Sequence, residues 1–154
     1  TNKDIKFWLV GNIDNRSRSS INKADILKWE SEETIIFKGY KKNIANIFSK
    51  AHIICLPSYQ EGFPRVLVEA AACGRAIITT NAPGCRESIL NYKTGILVNK
   101  KNAQELAKKI LWLLSKPDKL SKMSLAGRKF AEKYFQEKDI NQKHILLYDS
   151  LLKD

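Results

Sequence analysis

Two carboxylates stand close together in the sequence, in a setting that suits ligand binding. Glu61 and Glu69 are separated by seven residues, and Glu69 lies among valine, leucine and alanine on a predicted helix. A buried carboxylate is costly unless it is hydrogen-bonded, and one carboxylate can accept two hydrogen bonds from a vicinal diol. Glu69 is therefore either an acceptor for ligand hydroxyls or a surface residue paired with Arg65, four residues earlier. Residue chemistry alone leaves both interpretations open.

The residues just before Glu69 add a second kind of chemistry. A predicted strand ends at residue 56, a loop with glycine and proline follows at residues 57–64, and a helix then begins. The start of a helix offers unpaired backbone N–H groups and the positive end of a dipole, which favours phosphate. Gly62 allows the backbone to approach a ligand, and Pro64 suits the first helical turn. The segment is therefore a candidate phosphate site.

Short apolar runs alternate with helical periodicity along the chain. Strands are predicted at residues 5–10, 34–37, 52–56, 76–80 and 95–98. Helices are predicted at residues 24–30, 43–49, 65–73, 103–116, 119–134 and 138–152, with one or two turns at residues 85–90 and a loop at residues 14–20. Pro117 is expected to break the helix that contains Leu106 and Ile110, and Asp118 to cap the next one.

This alternation predicts an α/β fold, a Rossmann-like parallel sheet with helices on both faces. The predicted strands are short and almost wholly apolar, as strands covered on both faces should be. Aromatic residues, namely Trp8, Phe37, Phe48 and Trp112, fall on predicted core positions. Ligands of such sheets bind at the carboxyl ends of the strands, where the polar segments at residues 11–20, 39–42, 57–64 and 79–84 are expected.

Composition narrows the class of protein. With 154 residues, 44% hydrophobic and 28% charged, the chain is expected to form a single domain (residues 1–154) with one core. No apolar run approaches the ~18 residues of a membrane span, and no signal peptide opens the chain. The first residue is not Met, from which we expect a partial or excised domain. Three widely spaced cysteines favour a reducing compartment and predict a cytoplasmic location.

The charge balance favours anionic partners. Lysine and arginine number 27 against 16 acidic residues, which leaves a net charge of +11. Such an excess suits nucleotides, nucleic acid or an anionic membrane surface, but it is equally the sign of a solvated, lysine-rich surface. The predicted core positions of the aromatics argue against a nucleic-acid partner, because single-stranded nucleic acid needs exposed aromatics between clustered basic residues.

Four separate motifs together resemble a known family. The run Glu-Gly-Phe-Pro-Arg-Val-Leu-Val-Glu-Ala contains both carboxylates. It is followed by Ala-Cys-Gly-Arg-Ala-Ile-Ile at residues 72–78, Gly-Cys-Arg-Glu at 84–87 and Thr-Gly-Ile-Leu-Val at 94–98. Over roughly residues 7–114 the chain resembles the carboxy-terminal, donor-binding domain of retaining glycosyltransferases of family 4, the group 1 enzymes of the GT-B fold. It looks most like the transferases that make capsular and lipid-linked saccharides.

The resemblance implies a role for each matching residue. Glu69 matches the carboxylate that binds the ribose hydroxyls of the nucleotide, and Glu61, the implied catalytic residue, matches the one that lies against the transferred sugar. Glu87 has no assigned role. The implied donor-binding residues are Glu61, Gly62, Phe63, Pro64, Glu69, Tyr40 and Lys41, of which the last two match a loop beside the nucleobase. The implied donor is a nucleotide-sugar, with UDP favoured, and no cofactor or metal is expected.

The same resemblance shows what this chain is expected to lack. The family's first strand, the basic clamp for the diphosphate that follows it, and the amino-terminal acceptor domain all precede the part that matches. We therefore expect part of a larger enzyme, inactive alone, which acts on a glycan or lipid-linked acceptor and contacts the membrane peripherally. An exposed sheet edge could form a homodimer. The alternatives are a non-catalytic fragment or scaffold of this fold and a GT-B nucleotide-sugar epimerase.

The last predicted helix has apolar residues along one face, including Ile140, Leu147 and Leu151. One interpretation is packing in the core of this domain. The resemblance implies another, in which residues 137–154 brace the amino-terminal domain.

Overall fold

The computed structural model describes residues 5–13 and 21–152. These residues fall into two compact units, Thr1–Ile44 and Ala45–Asp154, each of which holds its own parallel sheet. The loop predicted at residues 14–20 lies outside the described residues. Every other predicted strand and helix is present, with its ends shifted by up to three residues.

Within its described residues, 5–13 and 21–44, the first unit contains two parallel strands and one complete helix. Strand β1 (Trp8–Val10) pairs with β2 (Ile36–Gly39), and helix α1 (Lys23–Ser31) packs against β2. The helix begins with a reciprocal cap, because the side chain of Asn22 accepts from the N–H of Asp25 while the Asp25 carboxylate accepts from the N–H of Asn22. Helix α2 (Ile44–Phe48) follows β2 in the chain.

The second unit is built on three parallel strands, β3 (Ile53–Leu56), β4 (Ala76–Thr80) and β5 (Gly95–Val98), with β4 in the middle. All five residues of β4 are buried, as expected of a central strand. Helix α3 (Arg65–Ala72) joins β3 to β4, and Gly74 ends it in the left-handed conformation at φ +64°. Beyond β4 come a short 3₁₀ turn (Arg86–Ser88), α4 (Ala103–Leu114), α5 (Pro117–Tyr134) and α6 (Glu137–Leu151).

The core of the second unit joins the sheet to α4 and α5. Alternate residues of β4 and β5 contribute one face of the sheet, and α4 and α5 contribute the apolar residues that cover it. The buried members of this cluster are Ala76, Ile78, Ile96, Val98, Ile110, Leu113 and Met123. Helix α3 buries Leu67, Ala70 and Ala71, and it packs against both β4 and α5. The sheet and α5 thus fix the helix that carries Glu69.

Four sequence predictions need correction. The strands form a two-stranded and a three-stranded sheet, not one. Asp118 does not cap α5, because the helix begins at Pro117, whose missing N–H costs nothing at the first helical position. Of the four aromatics predicted in the core, only Phe48 is buried; Trp8, Phe37 and Trp112 are half-buried. The core interpretation of the last helix is also wrong, since α6 has no buried residue.

The apolar residues of α6 lie in solvent across the described part of this helix. Leu147, Tyr148 and Leu151 are each more than half exposed. Among the helices of residues 5–13 and 21–152, none is both long enough and apolar enough to cross a bilayer.

Candidate functional site

The loop between β3 and α3 holds Glu61 by both its backbone and its side chain. The hydroxyl of Ser58 donates a hydrogen bond of 2.6 Å to Oε1 of Glu61. The N–H of Glu61 donates to the carbonyl of Pro83 at 3.1 Å. Glu61 is half-buried, so its carboxylate is oriented by the protein and still reachable from solvent.

The end of β4 anchors the same loop. Thr79 Oγ1 donates to the carbonyl of Leu56 at 2.7 Å, and Thr80 Oγ1 donates to the carbonyl of Ser58. Both threonines are at most 2% exposed, so these hydroxyls belong to residues buried in the central strand. The central strand therefore fixes the position of the first residues of the loop.

Gly84 supports the loop from the other side. Its backbone has φ +80°, and a Cβ atom built there would overlap the carbonyl oxygen of Glu61 and lie 2.6 Å from that of Gly62. Real Cβ atoms do not come this close to a backbone oxygen, so only glycine fits this position. The turn after β4 thus lies directly against the backbone of Glu61 and Gly62.

Helix α3 presents a free amino end beside this loop. Pro64 occupies the N-cap position without a side-chain cap, and the N–H of Leu67 donates back to the Pro64 carbonyl at 3.0 Å. The N–H groups of Arg65 and Val66 have no partner within residues 5–13 and 21–152. Two free N–H groups and the positive end of the helix dipole can receive an anion.

Phe63 packs at the base of the loop. Its ring lies 5.4 Å from that of Phe135, which follows α5, and Phe135 in turn meets Phe130 edge to face at 5.3 Å. This aromatic contact leaves Phe63 46% exposed and ties the start of α3 to the end of α5.

Glu69 lies on α3 with its carboxylate unpaired. The residue is half-buried, and no hydrogen bond or ion pair to its side chain forms within the described residues. The pair with Arg65 that the sequence allowed is therefore not formed. A carboxylate that is partly desolvated and unpaired lacks the contacts that would offset its burial. The Glu69 carboxylate is therefore free to accept hydrogen bonds from the hydroxyls of a ligand.

The other predicted site residues have different surroundings. Tyr40 and Lys41 follow β2 in the first unit, and both are exposed. Glu87 is exposed in the 3₁₀ turn and pairs with Arg86 at 3.3 Å. Within the described residues, no group of three or more His, Cys, Asp or Glu side chains is arranged to hold a metal ion.

Sequence reasoning assigned no role to Ser58 or Gly84. A signal for Ser58 was present, because serine and glutamate three residues apart commonly hydrogen-bond to each other's backbone at the start of a helix. Here the pair bonds side chain to side chain within the loop, and Ser58 lies seven residues before the first residue of α3. No local signal marks Gly84, because the backbone that it touches lies more than twenty residues earlier in the chain.

Known proteins resemble this chain in sequence over nearly its whole length. The family described as "Glycosyl transferases group 1" matches residues 1–130. The chain is 34% identical over 150 residues to N,N'-diacetylbacillosaminyl-diphospho-undecaprenol alpha-1,3-N-acetylgalactosaminyltransferase of Campylobacter jejuni, covering 96% of this chain and 38% of that protein. It is 24% identical to the capsular polysaccharide biosynthesis glycosyltransferase CapM of Staphylococcus aureus, over 98% of this chain and 39% of the relative.

A solved structure shows the same fold. HepE from Anabaena, in complex with UDP and glucose, superposes with a TM-score of 0.88 at 23% identity, over 96% of this chain and 41% of that one. The chain thus spans about two fifths of the length of these proteins, and the predicted Rossmann-like α/β fold is confirmed. The family match over residues 1–130, together with the Campylobacter relative, shows that this chain belongs to the group 1 glycosyltransferases.

Proposed function

We propose that this chain is the donor-binding part of a retaining glycosyltransferase that takes a sugar from a UDP-sugar and transfers it to a polysaccharide or lipid-linked acceptor. The observation that carries the proposal is the carboxylate of Glu69, half-buried on α3 and unpaired within the described residues. Two vicinal hydroxyls, such as those of a ribose, would supply the hydrogen bonds that it lacks.

The start of α3 gives the proposal its phosphate chemistry. The free N–H groups of Arg65 and Val66 and the exposed backbone at Gly62 suit the diphosphate of the donor. As the bond from the sugar to the diphosphate breaks, negative charge grows on the phosphate oxygens. Fixed N–H groups and a helix dipole that face this charge stabilise the transition state more than the ground state.

Glu61 serves the transferred sugar in this scheme. Its carboxylate is held in one orientation by Ser58, and fixed acceptors of this kind orient a sugar ring for reaction. The reacting carbon develops positive character as the leaving group departs, and a nearby carboxylate favours that charge.

The identity of donor and acceptor draws on the relatives. The neighbouring HepE structure contains UDP and glucose, which supports a UDP-sugar. The names of the Campylobacter and Staphylococcus relatives specify an undecaprenol-linked acceptor and a capsular polysaccharide, respectively. The Campylobacter relative shares more sequence identity with this chain, 34% against 24%, and its lipid-linked kind of acceptor is therefore the one that we favour.

Three further parts of the proposal rest on the sequence alone. They are nucleobase contacts by Tyr40 and Lys41, transfer without a metal ion, and a cytoplasmic location with peripheral contact at an anionic membrane. The net charge of +11 supports the last of these, because lysines near an anionic leaflet are attracted to it.

Titration of this chain with UDP, GDP and ADP, followed by ligand-observed NMR, tests the proposal. We expect UDP to bind, even at millimolar strength (about −4 kcal/mol), with or without EDTA. Glu69→Ala should abolish the binding, whereas Glu137→Ala, which removes an exposed carboxylate of α6, should not.

Three results would count against this function or a part of it. Binding of none of the three nucleotides would favour a non-catalytic scaffold of the same fold. Binding that survives Glu69→Ala would show that the ribose is held elsewhere, and loss of binding in EDTA would overturn the metal-free part of the proposal.

A further inference from the structure

We propose that Ser58 is a positioning residue that holds the carboxylate of Glu61 in the one orientation suited to the donor's sugar. This inference rests on the proposed function, because it assigns Ser58 to the sugar half of the same site. It differs from that function in naming a residue that acts through another and does not itself touch the donor.

The geometry of the contact is that of a strong hydrogen bond. The distance from Ser58 Oγ to Glu61 Oε1 is 2.6 Å, at the short end of the range for a hydroxyl that donates to a carboxylate. Glu61 lies on a loop and is half-exposed, so its side chain would otherwise sample several rotamers. The bond therefore selects one rotamer out of many before any ligand arrives.

Ser58 is itself fixed by the sheet. Its carbonyl accepts a hydrogen bond from Thr80 Oγ1, and Thr80 is 2% exposed at the end of the central strand β4. The backbone of Glu61 is tied to the turn after the same strand through the carbonyl of Pro83. Hydrogen bonds thus connect both the backbone and the carboxylate of Glu61 to β4 or to the turn after it. Of these two connections, only the one to the carboxylate passes through Ser58.

The bond from Ser58 also gives the two carboxylate oxygens of Glu61 different roles. Oε1 is occupied by Ser58, while Oε2 has no partner in the part of the chain that the structure describes. One oxygen is left to accept a hydroxyl of the ligand, at a position set by the other. Ser58 should consequently affect recognition of the sugar and leave recognition of the nucleotide alone.

Paired titrations with UDP and UDP-glucose test this separation. We expect Ser58→Ala to weaken UDP-glucose binding about tenfold, equivalent to about 1.4 kcal/mol, while UDP affinity changes by less than about twofold. Ser58→Thr keeps the hydroxyl and should retain the UDP-glucose affinity. The matched control is Ser115→Ala, which removes a hydroxyl that donates to the Trp112 carbonyl on α4, far along the chain from the loop.

A second measurement needs no ligand. Side-chain ¹³C relaxation of labelled glutamate should show that Glu61 becomes more mobile in Ser58→Ala and stays ordered in Ser58→Thr and Ser115→Ala. Unchanged order of Glu61 in Ser58→Ala would overturn the proposal, as would equal losses of UDP and UDP-glucose affinity, which indicate a general structural effect.

The two measurements also separate this inference from the proposed function. If the unaltered chain binds neither ligand, the proposed donor site fails, and the relaxation result alone decides whether Ser58 orders Glu61. If the unaltered chain prefers UDP-glucose and Ser58→Ala keeps that preference, the donor site stands and the role of Ser58 is wrong.

Discussion

Gly84 and Glu61 are in backbone contact, although twenty-two residues separate them in the sequence. A Cβ atom on Gly84 would overlap the Glu61 carbonyl oxygen, and the left-handed backbone at φ +80° already favours glycine. The turn after β4 therefore packs against the loop before α3 and supports its backbone. This relationship explains how a loop, ordinarily a mobile element, holds a carboxylate in place.

We first predict that Gly84→Ala destabilises the second unit by about 2–5 kcal/mol. The substitution combines a left-handed backbone that costs about 1–2 kcal/mol with an overlap that costs about 1–3 kcal/mol. Urea unfolding, followed by circular dichroism, measures the change. Gly62→Ala is the matched control, because Cβ at Gly62 meets nothing within 4 Å. A loss below about 0.5 kcal/mol for Gly84→Ala would show that the turn moves aside readily.

The Glu69 carboxylate leads to a second prediction. Glu69→Gln should leave the free energy of unfolding within about 0.5 kcal/mol of the original or raise it, because no partner within the described residues is lost. The same substitution should weaken UDP binding at least about tenfold, since hydrogen bonds to a charged acceptor are the stronger kind. Thermal unfolding and the nucleotide titration together measure both effects. A marked loss of stability would instead indicate that Glu69 is a structural residue.

Core packing in the second unit gives a third prediction, which compares two leucines of α4. Leu113 is fully buried in the cluster formed with the sheet, whereas Leu111 is 50% exposed. Leu113→Ala should therefore cost about 2–5 kcal/mol through lost burial and the cavity it leaves. Leu111→Ala should cost less than about 1 kcal/mol. Similar losses for both in urea unfolding would mean that α4 does not pack against the sheet through Leu113.

A fourth prediction concerns the end of α3. Arg128 donates from Nη1 to the carbonyl of Ala72, the last residue of α3, at 2.7 Å, and pairs with Glu132 at the same distance. A cation at the carboxyl end of a helix can donate to a free carbonyl and interacts favourably with the negative end of the helix dipole. Arg128→Met should cost about 1–2 kcal/mol.

Lys28→Met is the control for that substitution. It breaks only the exposed pair of Lys28 with Glu32 at 3.9 Å and should cost less than about 0.5 kcal/mol. If the two substitutions cost the same, the bond from Arg128 to the helix end contributes nothing beyond an ordinary surface pair.

The local elements were predictable because their signals are local. Leu106, Ile110 and Leu113 recur at helical spacing, and the structure has α4 over Ala103–Leu114. The alternation of strands and helices gave the parallel pairing of β3, β4 and β5. The membership of β1 and β2 in a separate sheet was not predictable, because an apolar run shows that a strand is buried and not which strand is its neighbour.

In the candidate site, too, local features could be predicted from the sequence and long-range contacts could not. Glu61 and Glu69 were predicted as site residues from residue type, spacing and resemblance, and their ligand-binding roles stay predictions. The supports of Glu61 were missed, because the bond from Thr80 to Ser58 and the contact of Gly84 join residues that lie far apart in the sequence. Such contacts depend on how β3 and β4 pair, which periodicity does not specify.

We propose that the donor binds at the start of α3, and an amide-resolved NMR titration with UDP-glucose is the sharpest test of this binding site. We predict that the largest shifts fall on residues 61–66 and on Glu69, with the N–H groups of Arg65 and Val66 foremost, since these are the free donors of the helix end. Shifts confined to other parts of the chain, or none at saturating UDP-glucose, would contradict the claim.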